Sequence, residues 1–317
     1  MIIDFSAHYM SSSVAKIFLS AGRQFLYPQK SDDAEERLKI MRKYGIDMQV
    51  LSQTTPMLSG IEPREAAEIC KASNDDIYKL CVEYPNKFEG LAIVSLLDVE
   101  SALEELDRAV NDMGFRGVTI ATNQNGTGLD SPSYAPFYDR VTKYDIPIFL
   151  HPTNWSSYPL LEGRDGFGLM FIIGWQFDTT QALCRLIFGK VLEKYPSLKI
   201  VTHHLGGFFP YSRVETFYEG LLRQSLVLKK PLAEYLKQIY GDTALSGMGR
   251  VRKEILDLGY AFFGSQRIVF GTDYPFGSEG GEGFVRDNLK PIKDLKISEE
   301  DKSRIFEKNA KRLLKIK

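Results

Sequence analysis

The chain has 317 residues, with 40 Lys and Arg against 41 Asp and Glu and a formal net charge of −1. Its 44% apolar and 26% charged residues suit a soluble globular protein with a sizeable core, and the even spread of basic residues excludes a nucleic-acid stripe or a polybasic membrane patch. Cys70, Cys81 and Cys184 form neither a disulfide framework nor a zinc-finger spacing, and no basic stretch followed by an apolar run opens the chain, so a cytoplasmic location is expected.

Short β-branched runs alternate with longer stretches of helical periodicity, the pattern of a parallel sheet with interleaved helices. A first strand is expected at 2–5, with His8 just beyond it. Residues 9–32, rich in Ser and aromatics, are too long for a simple connection and read as a loop excursion. Helix 33–44, strand 47–52, helix 62–84, strand 90–95, helix 100–113 and strand 116–120 continue the alternation. Ser131-Pro132-Ser133 marks the start of helix 134–144, after which strand 146–150 runs into His151. A second excursion covers 152–178, with Trp155, Gly163, Gly166, Gly168 and Trp175. Asp178-Thr179-Thr180 then offers N-cap oxygens to helix 179–195. Strand 198–202 runs into His203 and His204, and Gly206-Gly207 allows a tight turn. Helix 211–227, strand 239–245, helix 249–263 and strand 267–271 follow, the last ending at Thr272-Asp273. A short excursion at 276–285 and helix 298–315, opened by Ser298-Glu299-Glu300, complete the series. No run is long enough to span a bilayer.

Eight strands is the number an α/β chain needs for a (β/α)8 TIM barrel. No linker or internal repeat divides it, so 1–317 reads as one barrel domain with long βα loops. All four histidines lie just past a predicted strand, as does Asp273. Strand exits are where such barrels gather catalytic groups. His8, His151 and Asp273 offer two nitrogens and one oxygen, a set that suits Zn²⁺ or a similar divalent ion and leaves places for water and substrate. His204 is the candidate general acid or base, because an imidazole titrates near neutrality, and Asp273 has a second possible role in proton transfer. His203, its neighbour, is expected on the opposite face of the strand in a structural role. Arg213 reads as a fork for a substrate carboxylate or as a surface ion pair. Trp175 and Phe177 read as a stack for a ring substrate or as packing beneath the long loop. Asp4 reads as a partner for backbone or for a neighbouring polar group.

Ile3-Asp4-Phe5-Ser6-Ala7-His8 resembles the first-strand Asp-x-His-x-His signature of the amidohydrolase superfamily. Four further segments are similar to its aminocarboxymuconate-semialdehyde decarboxylase-like branch. They are Pro147-Ile-Phe-Leu-His-Pro152, Gly174-Trp-Gln-Phe-Asp-Thr-Thr180, His204-Leu-Gly-Gly-Phe-Phe-Pro-Tyr211 and Phe270-Gly-Thr-Asp-Tyr-Pro275, and with the first they span nearly the whole chain. That branch also contains γ-resorcylate and 5-carboxyvanillate decarboxylases, with some hydratases and hydrolases acting on aromatic-ring metabolites. The resemblance implies an amidohydrolase-like barrel in which His8, His151 and Asp273 bind a divalent metal, zinc first, with Mn, Fe or Co as alternatives. It implies that His204 is the catalytic histidine outside the ligand set, that Arg213 matches an arginine which in some members reaches a neighbouring subunit's site, and that the protein is a homodimer. The implied activity is non-oxidative decarboxylation of a small aromatic or unsaturated carboxylic acid. Metal-dependent hydrolysis of an ester, lactone, amide or C–C bond is the alternative, and a metal-free barrel that only binds a ligand is another. One position departs from the pattern: Ser6 stands where the first His of the pair belongs, and a neutral hydroxyl is a poor ligand, so the metal is held by fewer protein groups, held weakly, or lost.

Overall fold

The apolar runs form parallel strands whose residues are buried on both faces, as expected of a sheet covered by helices. The computed structural model describes residues 1–20, 32–153, 168–222, 226–245 and 253–316. Its strands are β1 (Ile3–His8), β2 (Met48–Ser52), β3 (Phe88–Gly90), β4 (Ala92–Ile93), β5 (Val118–Ala121), β6 (Asn123–Gln124), β7 (Thr127–Gly128), β8 (Ile148–His151), β9 (Ile200–Thr202), β10 (Ile239–Asp242) and β11 (Ile268–Val269). β6 and β7 make a small antiparallel hairpin; the others pair in parallel in the orders β1-β2-β3 and β11-β10-β9-β8-β5-β4. Each of the eight predicted strands is present, the third broken between β3 and β4 at Leu91, whose N–H donates to Leu51 O. Backbone hydrogen bonds from Phe5 N to Phe270 O, Asp273 N to Ser6 O and His8 N to Tyr274 O tie β1 to β11 and the segment after it.

The register sets the level of the site. Ala121 lies opposite His151, His8 opposite Ser52, and both Leu150 and Gly241 opposite Thr202, so these strands end together on one face. Ile3, Phe5, Val50, Leu91, Phe149, Val201 and Val269 meet in an inner apolar cluster. Ala310, Leu313 and Leu314 of the C-terminal helix join that cluster. Alternate residues such as Leu51, Ile148, Leu150, Ile200 and Phe270 face the larger cluster shared with the surrounding helices. Each fully buried large apolar side chain contributes roughly 1.5–3 kcal/mol.

The helices are α1 (Ser12–Ser20), α2 (Ala34–Tyr44), α3 (Pro63–Glu83), α4 (Val99–Asn111), α5 (Ala135–Tyr144), α6 (Trp175–Phe188), α7 (Val191–Lys194), α8 (Val214–Phe217), α9 (Leu232–Leu236), α10 (Lys253–Phe263), α11 (Glu282–Lys293), α12 (Glu299–Ser303) and α13 (Asn309–Leu314). Local chemistry explains several limits. Asp33 caps α2 by accepting from Glu36 N, Gly45 closes it in the left-handed region, and Ser298 caps α12. Four expectations are corrected. A π turn at Met170–Gly174 leads straight into α6, so Asp178, Thr179 and Thr180 lie inside a helix rather than at its start. The Asp178 carboxylate instead accepts from Thr122 Oγ1, Asn123 Nδ2 and Thr153 N. α1 occupies the start of the excursion at 9–32. α11 begins inside the one at 276–285, its periodicity masked by Gly280, Gly281, Gly283 and the internal Pro291. The expected helix 211–227 is α8 followed by a π turn at Tyr218–Leu222. Trp155, Gly163 and Gly166 lie outside the described residues.

Candidate metal centre

The strand ends bring five of the singled-out side chains together. One ring nitrogen from each of His8, His151 and His203 lies within 4.8 Å of the other two, and His203, His204 and Asp273 form a second group to the same limit. All five residues are buried. His8 Nε2 stands 3.1 Å from Asp273 Oδ1, and His203 Nε2 lies 3.6 Å from the same oxygen. The His151 and His203 rings stack at 4.8 Å, with His8 edge-on to both.

Three of these histidines are oriented in the same way. His151 Nδ1 bonds Pro152 O at 2.7 Å, with Thr55 Oγ1 3.1 Å away. His203 Nδ1 bonds Asp242 Oδ2 at 2.6 Å, and His8 Nδ1 faces Ser52 Oγ at 3.2 Å and Ser52 O at 3.4 Å. A proton held on Nδ1 by a carbonyl or carboxylate leaves the Nε2 lone pair aimed inward, which is how metal-binding histidines are held in their rotamer and tautomer. His8 Nε2 and His203 Nε2 are buried and, beyond their approach to Asp273 Oδ1, have no hydrogen-bond partner among the described residues. Orphaned buried nitrogens beside a carboxylate are the donor set a divalent cation takes, so these residues fit one.

The charges agree with that reading. Burial works to raise the Asp273 pKa, but the His203 and His8 imidazoles beside it hold it far below the usual carboxylate range. Burial opposes a charged His203, yet the Asp242 carboxylate and then Asp273 push its pKa up to about 10. Asp242 is held low by His203 in return. His151 is driven well below its ordinary value by burial and by His203 and His8, and His204 is lowered to about 3 by burial and by His203. Two buried carboxylates amid imidazoles favour a positive charge at their centre, whether a proton or a cation.

The neighbouring pair departs from strand alternation. β9 stops at Thr202, and His204 and Leu205 adopt φ of 53° and 50°, so both imidazoles turn into the cluster with ring centroids 3.8 Å apart. Neither ring nitrogen of His204 has a hydrogen-bond partner among the described residues, and Trp175 stacks on it at 6.0 Å with an interplanar angle of 12°. Trp175 also lies edge-on to His151, while Phe177 is half-buried further along α6. Arg213 is exposed, its guanidinium 5.9 Å from the centre of the Phe217 ring, and is not among the gathered residues. Asp4 accepts from Thr272 N, Thr272 Oγ1 and Gln49 Nε2, fixing the turn that carries Asp273; burial raises its pKa to about 6.

Sequence reasoning passed over Asp242, although a carboxylate in an otherwise buried strand is a signal. Arg37, among the charged residues at the start of α2, is a second such residue. In the structure Arg37 is buried, donates to His8 O at 2.7 Å and Gln49 Oε1 at 3.0 Å, and lies 4.6 Å from the centre of the Tyr274 ring.

Comparison with known proteins places this geometry in context. The family described as amidohydrolase matches residues 3–316. A γ-resorcylate decarboxylase of Rhizobium sp. (strain MTP-10005) is 31% identical over 90% of this chain and 88% of its own length. A 2-amino-3-carboxymuconate-6-semialdehyde decarboxylase of Dictyostelium discoideum is 30% identical over 77% of this chain and 67% of its own. Among solved structures, a 2,6-dihydroxybenzoate decarboxylase in complex with 2,6-dihydroxybenzoate superposes with a TM-score of 0.81 at 26% identity, covering 99% of each chain.

Proposed function

The chain belongs to the amidohydrolase family, and from that premise we propose that it is a metal-dependent, non-oxidative decarboxylase of small aromatic carboxylic acids. The observation that carries the reading is the 31% identity to γ-resorcylate decarboxylase over 90% of this chain. The buried cluster of histidines and Asp273 supports it. His8, His151 and Asp273 would hold the metal. When bound, it supplies Lewis acidity and a fixed point for a substrate carboxylate and an adjacent oxygen. Zinc is our assignment, and the same nitrogen and oxygen donors accept Mn, Fe or Co.

The reaction places a proton on the ring carbon that bears the carboxyl group and breaks the bond to CO2, leaving the bond's electron pair with the ring. Asp273 is assigned to deliver that proton. It is ionised in the resting pocket, and it takes up one proton from solvent as the substrate carboxylate arrives beside it, because the added like charge favours the protonated, donating form. His204 is neutral with both ring nitrogens unengaged, which suits it to take up and return a proton. Trp175, stacked on His204, offers a flat face to an aromatic ring. Burial of the cluster keeps bulk water away from the carbon that receives the proton. We also place the protein in the cytoplasm as a homodimer of one-domain chains, the exposed Phe171, Ile172 and Ile173 being the apolar surface a second copy covers. No helix among the described residues is long and apolar enough to cross a membrane.

The test is incubation of metal-loaded protein with hydroxybenzoates, 2,6-dihydroxybenzoate included, following CO2 release and loss of acid. One CO2 per acid consumed, abolished by a chelator, is expected. Hydrolysis of ester, lactone or amide probes without CO2 release overturns the proposal in favour of a hydrolase. Ligand binding without turnover or bound metal leaves only a binding barrel.

A further inference from the structure

Ser6 occupies a strand position one residue pair before His8, yet its hydroxyl is committed elsewhere. Ser6 Oγ donates to Asp242 Oδ2, the same oxygen that receives His203 Nδ1 at 2.6 Å. The other oxygen, Asp242 Oδ1, accepts from His204 N at 2.9 Å and Ala244 N at 3.2 Å. Four donors therefore pin this buried carboxylate, two on each oxygen, and it has little freedom to rotate. The Ser6 side chain also packs hard on Gly271, where any Cβ would come within 2.7 Å of Ser6 Cβ and 2.8 Å of Ser6 Oγ. His203, held at Nδ1, presents an unbonded Nε2 to the space shared with His8, His151 and Asp273.

We propose that His203 is a metal ligand in this chain, supplying from the end of β9 the nitrogen that Ser6 on β1 does not, with Asp242 and Ser6 as its positioning residues. The inference rests on the metal-dependent reading above and extends it. His203 meets the same two conditions as His8 and His151: an inward nitrogen within 4.8 Å of theirs, and an outer partner on Nδ1. Its outer partner is a carboxylate rather than a carbonyl or hydroxyl, which makes the imidazole a stronger donor. Ser6 is thereby not a vacant ligand position but the second anchor of the carboxylate that aims the replacement.

The experiment is to titrate apoprotein with Mn²⁺ and count bound imidazole nitrogens by pulsed electron spin-echo spectroscopy, alongside the Mn²⁺ Kd. The wild-type chain is expected to show three nitrogens. H203Q should show two, and should weaken Mn²⁺ binding by more than the roughly 10–100-fold that loss of an outer partner costs. D242N should keep three nitrogens and weaken binding by about 10–100-fold, with S6A weakening it less. Two nitrogens in the wild type, or unchanged Mn²⁺ affinity in folded H203Q, overturns the inference while leaving the metal-dependent reading intact. Failure of the wild type to bind Mn²⁺, Zn²⁺ or Fe²⁺ overturns both. Circular dichroism checks the folding of each variant, and the wild-type nitrogen count decides the matter should H203Q not fold.

Discussion

His204 differs from the other three histidines in that neither ring nitrogen is engaged among the described residues and the Trp175 plane lies against its face. A group placed to move protons rather than to hold a cation should be separable from metal binding. H204Q is therefore expected to lower kcat for decarboxylation by about 10²–10⁴-fold while metal content per chain stays at the wild-type level, checked by steady-state assay and elemental analysis. Glu89 on β3 is buried enough to push its pKa up to about 7, with Arg116 at 3.9 Å opposing the shift. Between about pH 4.5 and 7 the folded chain keeps a proton here that the unfolded chain releases, so stability falls as pH rises through that window. E89Q should raise the melting midpoint at pH 8, by a gain of about 1–3 kcal/mol, and leave it nearly unchanged at pH 4.5. The strand-exit histidines and Asp273 were legible because their neighbours in sequence are apolar, β-branched runs. The orientation of His203 was not, because alternation applies only within a strand, and the positive φ of His204 begins just after β9 ends.

The turn after β9 comes closest to the first turn of α6 at Gly207. Gly207 has φ of 63°, and a Cβ there would fall 2.4 Å from Gln176 O, next to Trp175. Only glycine allows the loop carrying His204 to lie this close to the helix carrying Trp175. G207A is expected to cost about 1–3 kcal/mol of stability, seen by calorimetry, and to lower kcat as the His204–Trp175 stack loosens. At this scale the eight strand regions and most helices could be read from periodicity. Two helix starts were hidden for different reasons: α11 carries Gly283 and Pro291, and α6 starts in an apolar π turn that resembles a loop because it lacks a cap. Asp178 looked like a cap since caps and inward-facing acids use the same residue types.

For the whole molecule, a ligand that binds only the folded state adds stability by mass action. Chelation should lower the melting midpoint, and Mn²⁺ at about 1,000 times its Kd should restore roughly 4 kcal/mol, read from thermal scans at several concentrations. The same scans on H203Q should show a smaller rise at equal Mn²⁺. No two of His8, His151 and Asp273 share a strand, and His203 comes from a fourth. A chain still being synthesised thus has no finished pocket until Asp273 has emerged and β11 has joined the sheet. A cation held by all of these residues would be taken up only once β11 is in place, and with several acceptable metals its identity would then follow their supply at that moment.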